Sequence, residues 1–456
     1  MAVKPVVMAL SRSGEAVAHK VAAALGMAVH GREGRVDQAD AYFANALDHA
    51  RDLFAAGVPI IGVCASGILI RAVAPLLSDK RSEPPVLSVS DDGSVVIPLL
   101  GGHRGANRLA QEIATVLEAK AAVTTAGDVA IGVALDAPPA GYRLSNPLDA
   151  KDAMAAILAG EGISLTGENI FELEANGGAV NLVVSEAPVE GNAKTLVYHP
   201  QTYVVGVGCA RNADAEELWS LVTTTLQNAG IAQGAVACVA TIDLKGDEPA
   251  MNTVAKRLGV PLRLFTAEEL EAQKVANPSD VVFAEVGCHG VSEGAALAAS
   301  DGKLVVEKTK TANTTCAIAR ADAPIIEMKG RSRGRLSVVG IGPGQATWRT
   351  PEVSKLVAEA DELVGYGLYI DLLGPLAHGK IRSDFPLGGE EDRCRYALER
   401  AGEGRNVALV CSGDAGIYAM GALTFELLDR SPEALGVSDA ARRVDVVCSP
   451  GVSALQ

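Results

Sequence analysis

The sequence has 456 residues, 48% of them hydrophobic and 4% aromatic, with a formal net charge of −15. A single core stops growing near about 300 residues, so this length implies several domains, and an aliphatic-rich, aromatic-poor chain fits α/β sheets packed by Val, Ala, Leu and Ile. The acidic balance excludes a general nucleic-acid or anionic-membrane surface, no apolar run reaches the roughly eighteen residues of a membrane span, and the N-terminus has no signal-peptide cleavage pattern, so a cytoplasmic chain is expected.

The first segment reads strand, helix, strand: VVMALS, then EAVAHKVAAALG with apolar residues at helical spacing, then a short AVHG. VPIIGVCASGILIRAVAPLL passes from a strand through Gly62, Ala65, Ser66 and Gly67 into a helix carrying Arg71, a turn whose backbone N–H groups can receive an anion. PPVLSVSDDGSVVIPLL is a hairpin around Asp91, Asp92 and Gly93. It feeds GGHRGAN and an amphipathic helix, and TTAGD closes the unit near Asp128, giving a first α/β domain over 1–130. In the glycine loop, His103 and Asn107 either supply a general base and an oxyanion donor or simply cap the helix. Arg71, Lys80 and Arg104 either form a cationic pocket for a polycarboxylate or stand as solvated charges.

Residues 131–200 carry Pro, Gly and Asn punctuation and are expected to form a small middle domain without catalytic residues. A third α/β block is expected over 201–322. Its loops hold Cys209 and Arg211, then Lys245, Asp247 and Glu248. EVGCHGVSEGAALAA is read as strand, loop and helix with His289 and Glu293 at the turn, and KLVVEKTKTANTTCAIAR as a closing strand carrying Glu307 and Lys308. These polar sets fit ordinary loop and cap chemistry as well as function.

The eight cysteines include no CxxC pair and no His/Cys metal spacing, so neither a disulfide framework nor a metal site is expected. Cys64, Cys209, Cys288, Cys411 and Cys448 fall at or beside expected strand ends, where a reduced thiol packs well, and Cys209 is kept as the one candidate for chemistry.

A basic, glycine-bearing linker, 323–334, precedes the last part of the chain, 335–456. There RLSVVGIGPG, VALVCSGDAGIY and VDVVCSPGVSALQ are three apolar strands, each ending in a small-residue loop. That repetition points to a parallel sheet with its ligand at the carboxyl ends of the strands. The fold class expected for the whole chain is α/β: several three-layer-like domains with mainly parallel sheets.

The motifs GIGPG, SGDAGIY and PGVSA, in this order and spacing, resemble the tetrapyrrole methyltransferases, and within them the precorrin-3B C(17)-methyltransferases. The resemblance implies the first half of a tetrapyrrole methylase fold and S-adenosyl-L-methionine as cofactor. It places Pro343, Ser412, Gly413, Asp414, Ile417, Ser453 and Ala454 around that cofactor. It further implies methylation at carbon 17 with ring contraction, and a homodimer formed through this part. In the sirohaem branch an Asp follows a Tyr after the first helix; here the place reads Gly365 and Tyr366, so no carboxylate base carries over, and Tyr366 is assigned to the substrate cleft. The family's second α/β domain would follow PGVSALQ; without it the segment is expected to transfer methyl groups poorly.

GVCASGILIRAVAPLLSDK, PLLGGHRGAN, IDLKGDE, GVSEGAAL and LVVEKTK resemble the cobalt-precorrin-5A hydrolase family across nearly all of 1–320. That family opens a lactone on a cobalt corrinoid and releases a two-carbon fragment as acetaldehyde. For that reaction, residue chemistry and position suggest His103 for proton transfer, Asn107 and nearby amides for the oxyanion, and Arg71, Lys80 and Arg104 for the carboxylates of corrinoid tetrapyrrole intermediates. The chain departs from the family's Ser-Gly-His loop at Gly101–Asn107, and has Glu83–Pro84 where Asp-Pro is usual. An alternative is that the N-terminal half is a non-catalytic corrinoid-binding module serving the methyltransferase. A dinucleotide enzyme is a further alternative, but GIGPG lacks that fingerprint's third glycine and later acidic residue.

Overall fold

Four β-sheets organise the chain. In the computed structural model of the protein, residues 3–80, 82–125, 132–417, 419–431 and 434–453 are described, residue 103 by its backbone alone; Asp128, Tyr418 and Ala454 lie outside the described residues. The first sheet holds β1 (Val6–Ala9), β2 (Ala28–Arg32), β3 (Ala41–Phe43), β4 (Ile60–Val63), β5 (Val86–Val89), β6 (Val95–Leu100) and β7 (Lys120–Ala121) in the order β3-β2-β1-β4-β5-β6-β7. Strands β3 to β5 run parallel, which is why β1 and β4 are apolar at every position: helices cover both faces. The helices are α1 (Glu15–Leu25), α2 (Ala46–Ala55), α3 (Ser66–Val73) and α4 (Ala106–Leu117). As expected, β5 and β6 form an antiparallel hairpin, with Val86 opposite Leu100.

The second sheet has the order β8-β11-β10-β9, from β8 (Tyr142–Leu144), β9 (Ile163–Thr166), β10 (Val180–Val184) and β11 (Thr195–Pro200), with α5 (Ala150–Leu158) packed on it. The third sheet has the order β14-β13-β12-β16-β15. Its strands are β12 (Tyr203–Cys209), β13 (Val236–Ile242), β14 (Leu262–Phe265), β15 (Lys303–Lys310) and β16 (Thr314–Arg320), and its helices α6 (Ala215–Asn228), α7 (Pro249–Leu258), α8 (Ala267–Glu271), α9 (Asp280–Val286) and α10 (Val291–Ser300).

Two sequence expectations fail in this part. The strand expected at the start of EVGCHGVSEGAALAA, ahead of Cys288, is instead the end of helix α9: the Ser279 hydroxyl accepts the Val282 N–H, and left-handed Gly287 closes the other end. Local capping overrides the strand-like apolar run, and Val281 and Phe283 point outward. Cys288 therefore lies between two helices rather than at a strand end. The stretch from Lys303 to Arg320 is not one strand but an antiparallel hairpin, closed where Thr311 N–H meets Thr314 O at 2.9 Å. The linker also pairs with a sheet edge: Leu264 and Arg331 exchange backbone hydrogen bonds of 2.8 and 2.9 Å, and Arg331 reaches Asp243 at 2.5 Å.

The fourth sheet is wholly parallel, in the order β19-β18-β20-β17-β21. Its strands are β17 (Arg335–Gly340), β18 (Glu362–Tyr366), β19 (Ile381–Phe385), β20 (Asn406–Cys411) and β21 (Asp445–Ser449), and its helices α11 (Pro351–Glu359), α12 (Gly367–Asp371), α13 (Glu390–Gly402), α14 (Met420–Asp429) and α15 (Asp439–Arg442). The chain divides into two units, Met1–Thr124 with Gly334–Gln456, and Thr125–Arg333. In the first unit, one continuous core joins Met8, Leu53, Phe54 and Leu69 to Val339, Ile341, Val353 and Val357. Among the described residues no helix is long and apolar enough to cross a membrane.

Candidate functional sites

Because β20, β17 and β21 are neighbours and parallel, their glycine-bearing loops emerge side by side at one edge of the fourth sheet. Gly342 and Gly413 exchange both backbone hydrogen bonds, at 3.1 and 2.9 Å, each with positive φ. A Cβ on Gly340 would stand 2.5 Å from the Gly413 carbonyl oxygen, and one on Gly451 only 2.3 Å from the same atom. The three loops thus touch through backbone alone, which only glycine allows. Asp414 ties two of them, those after β20 and β21: Oδ1 accepts the N–H groups of Gly416 and Ile417 at 2.7 and 3.1 Å, and Oδ2 accepts that of Gly451 at 3.3 Å.

Around this backbone knot, Pro343 and Ile417 are exposed, Ser412 and Ser453 are half-buried, and Gly413 is buried. The residues assigned to the methyl donor therefore share one edge; Ala454 lies outside the described residues. Tyr366 ends β18 at the same edge and meets Tyr369 edge-on, with ring centroids 5.3 Å apart.

The residues singled out in the first sheet do not gather at one place. Arg71 Nη1 donates to the Gly67 carbonyl at 3.0 Å, which keeps the guanidinium over the first turn of α3, beyond the carboxyl end of β4. Gly101 follows β6, which runs the opposite way, and its α-carbon faces Pro85, ahead of β5. The turn Gly102–Arg104 therefore lies at the amino ends of β4 and β5, about 10 Å of strand away from the Arg71 edge. There Arg104 Nη1 donates to the Ser82 carbonyl at 2.7 Å, and Lys80 lies two residues earlier. Asn107 Nδ2 lies 3.8 Å from where a Cβ on Gly102 would stand, so the Asn107 amide folds over the turn. The His103 side chain lies outside what is described.

At the carboxyl edge, strand order reverses between β1 and β4, the place where open α/β sheets form a crevice. Asp91 Oδ2 there accepts the hydroxyls of Ser11 and Ser13 at 2.8 and 2.6 Å. The sequence reading assigned nothing to these serines; only strand order brings them to Asp91.

In the third sheet, Arg211 donates to Asp247 at 2.8 Å and lies 3.0 Å from Glu248, whose side chain is 1% exposed and lies 3.5 Å from Lys245 Nζ. Burial, with Glu248 nearby, pushes the Cys209 thiol up to about 11, so the thiolate needed for nucleophilic chemistry is disfavoured. Glu293 is buried and accepts Asn277 N–H, Asn277 Nδ2 and Lys308 N–H at 2.8, 2.8 and 2.9 Å, clamping a loop to β15.

Comparison with known proteins matches three parts of the chain. The family model for the cobalamin synthesis G N-terminal part matches residues 48–128, that for the cobalamin synthesis G C-terminus matches 203–319, and that for tetrapyrrole (corrin/porphyrin) methylases matches 335–456. The cobalt-precorrin-5A hydrolase of Priestia megaterium is 30% identical over 298 residues, 59% of this chain and 79% of that protein. Protein CobE of a Sinorhizobium species is 43% identical over 120 residues, 25% of this chain and 78% of that protein. The precorrin-3B C(17)-methyltransferase of a Sinorhizobium species is 40% identical over 122 residues, 27% of this chain, which spans 45% of that protein's length. With both cobalamin synthesis G models matched in order, and a 30% identical relative covered over 79% of its length, this chain belongs to the cobalt-precorrin-5A hydrolase family of cobalamin biosynthesis and carries a tetrapyrrole methylase segment behind it.

Proposed function

We propose that this chain serves two steps of corrin-ring construction: opening of the cobalt-precorrin-5A lactone with release of acetaldehyde, and methylation of a precorrin-3B-type ring at carbon 17 with ring contraction. The observation that supports the second reading is the knot of Gly342, Gly413 and Gly451, which packs adjacent strand tips backbone to backbone and so brings the residues assigned to the methyl donor to one edge. Pro343, Ser412, Gly413, Asp414, Ile417, Ser453 and Ala454 would hold S-adenosyl-L-methionine, which supplies an electrophilic methyl group. The protein's own contribution is alignment: Asp414 fixes the loops after β20 and β21, and Tyr366 would border the macrocycle, so that the ring carbon approaches in line.

For the hydrolase step, water adds to the lactone carbonyl and the ring C–O bond breaks, leaving a carboxylate and an alcohol; the alcohol then loses its hydroxyl proton, its C–C bond to the macrocycle breaks to free acetaldehyde, and the macrocycle carbon keeps the electron pair and takes up a proton. In this reading His103 moves the proton, and Asn107 with the Gly102–Arg104 amides stabilises the oxyanion. Lys80 and Arg104 would receive carboxylates on the same edge, and Arg71 a carboxylate arm at the opposite one. A cytoplasmic location and a homodimer formed through the methylase part belong to the same reading.

Acetaldehyde release from cobalt-precorrin-5A by the purified chain tests the first step; none from the wild type would overturn it, and an unchanged rate in His103→Ala would remove that residue from the scheme. Calorimetry tests the second: S-adenosylhomocysteine should bind and NAD should not. Retained corrinoid binding without acetaldehyde release would favour a non-catalytic binding module.

A further inference from the structure

In the second unit a histidine is held by a carboxylate beside a cavity. His289 lies in the short connection between α9 and α10, after β14 and α8 have brought Glu271 to the same place. One carboxylate of Glu271 grips it twice: the His289 backbone N–H donates to Oε2 at 2.9 Å, and ring Nδ1 lies 2.8 Å from Oε1. These hydrogen bonds, first from the backbone and then from the ring, hold the Glu271 carboxyl below its ordinary range, so it is an acceptor only. Nδ1 must therefore carry the proton, which leaves the lone pair on Nε2 when the ring is neutral. Stacking on Phe283, with centroids 4.4 Å apart and planes 25° from parallel, fixes the ring further. Nε2 is 3.6 Å from Asp280 Oδ1, and with 34% of its side chain exposed, His289 is open to water.

The ring borders a cavity of about 380 Å³ whose walls include apolar Leu270, Val275 and Pro278 and the cationic Lys274. An imidazole oriented by a carboxylate, a lysine lining the same cavity and apolar wall residues together suit ester hydrolysis. We propose that His289 and Glu271 form a second acid–base centre, at which a carboxylic ester or lactone seated in this cavity is hydrolysed. His289 Nε2 takes a proton from water as its oxygen bonds to the carbonyl carbon; Lys274 steadies the oxyanion. The C–O bond of the ester then breaks, and the departing alkoxide recovers the proton from Nε2. Glu271 is the positioning residue. The identity of the natural ester rests on the hydrolase reading above; the centre itself does not.

The full chain, assayed with 4-nitrophenyl acetate and separately with cobalt-precorrin-5A, tests this. His289→Gln should lower kcat on the nitrophenyl ester by about 100-fold or more. Glu271→Gln keeps an oxygen for the backbone N–H but turns an amide donor toward Nδ1, moving the proton to Nε2. It should lower kcat at unchanged KM, and Glu271→Asp should restore part of the loss, a pattern that loss of folding would not produce. Wild-type rates in His289→Gln, or no ester hydrolysis by the wild type, overturn the proposal. His289-dependent ester hydrolysis without acetaldehyde release from cobalt-precorrin-5A would uphold the centre and sink only the hydrolase reading.

Discussion

Asp52 on α2 and Arg349 ahead of α11 stand 297 positions apart in the chain, yet Arg349 Nη2 donates to both Asp52 oxygens, at 2.7 and 2.6 Å. Ser354 completes the group, accepting from Arg349 Nε at 2.9 Å and donating to Asp52 at 3.2 Å. Only 1% of the Arg349 side chain and 10% of that of Asp52 is exposed, so the pair is sealed where the first and fourth sheets share a core. Asp52→Ala leaves a buried guanidinium without its counterion and should destabilise this unit by about 3–5 kcal/mol. Denaturant unfolding measures it; a loss below about 1 kcal/mol would mean that the two parts are not held together here.

Acid should weaken the same unit. His30 Nδ1 and His49 Nε2 lie 2.9 Å apart, so one ring nitrogen donates and the other accepts. Burial, with the charge of His378, lowers His30 to about 4 although Asp40 opposes it; burial, with the charge of His30, lowers His49 to about 3. Below about pH 6.5 the unfolded chain binds protons that the folded one excludes, so stability is complete above that pH and falls as pH drops toward 4. The slope should approach about 1.4 kcal/mol per pH unit for each proton. Denaturation midpoints at pH 7 and pH 5 should differ more for the wild type than for His49→Gln; equal differences would contradict this account.

The glycine knot predicts a binding defect without unfolding. A Cβ on Gly451 would stand 2.3 Å from the Gly413 oxygen and 2.4 Å from that of Gly340. Gly451→Ala should therefore part the loops and weaken S-adenosylhomocysteine binding at least tenfold, about 1.4 kcal/mol, as read by calorimetry.

Glu293 makes a comparable prediction for the second unit. Burial alone would raise its pKa, but hydrogen bonds from Asn277 and Lys308 outweigh that and hold it below the usual range. Stability from this carboxylate is present above the unfolded pKa and is lost as pH falls through the folded one. Glu293→Gln turns one acceptor into a donor facing donors, and should cost about 1–3 kcal/mol. Hydrogen exchange should quicken at the Asn277 and Lys308 amides and leave the core of β12 unchanged.

Much of the methylase edge was legible because its chemistry is local. Gly342, Gly413 and Gly451 each announce a strand end, but that Asp414 faces the backbone amides of Gly416, Ile417 and Gly451 shows only in the structure. The first sheet was less legible. Arg71 and His103 follow similar strand-then-glycine patterns, but one hairpin between β5 and β6 reverses the chain and sends them to opposite edges. The helix α9 is hard to tell from a strand because Val281, Val282 and Phe283 form a short apolar run, and its caps, Ser279 and left-handed Gly287, are what mark it as a helix.

The amino-acid sequence by itself determined the α/β class, the strand tips at Gly340 and Cys411, and the two families that the chain resembles, since apolar runs and glycines act over a few residues. Tertiary structure alone decided that Asp91 meets Ser11 and Ser13, that Glu271 orients His289, and that Arg349 finds Asp52. Those pairings depend on strand order and direction, which are set by the burial of whole faces across long stretches of chain rather than by any local run of residues.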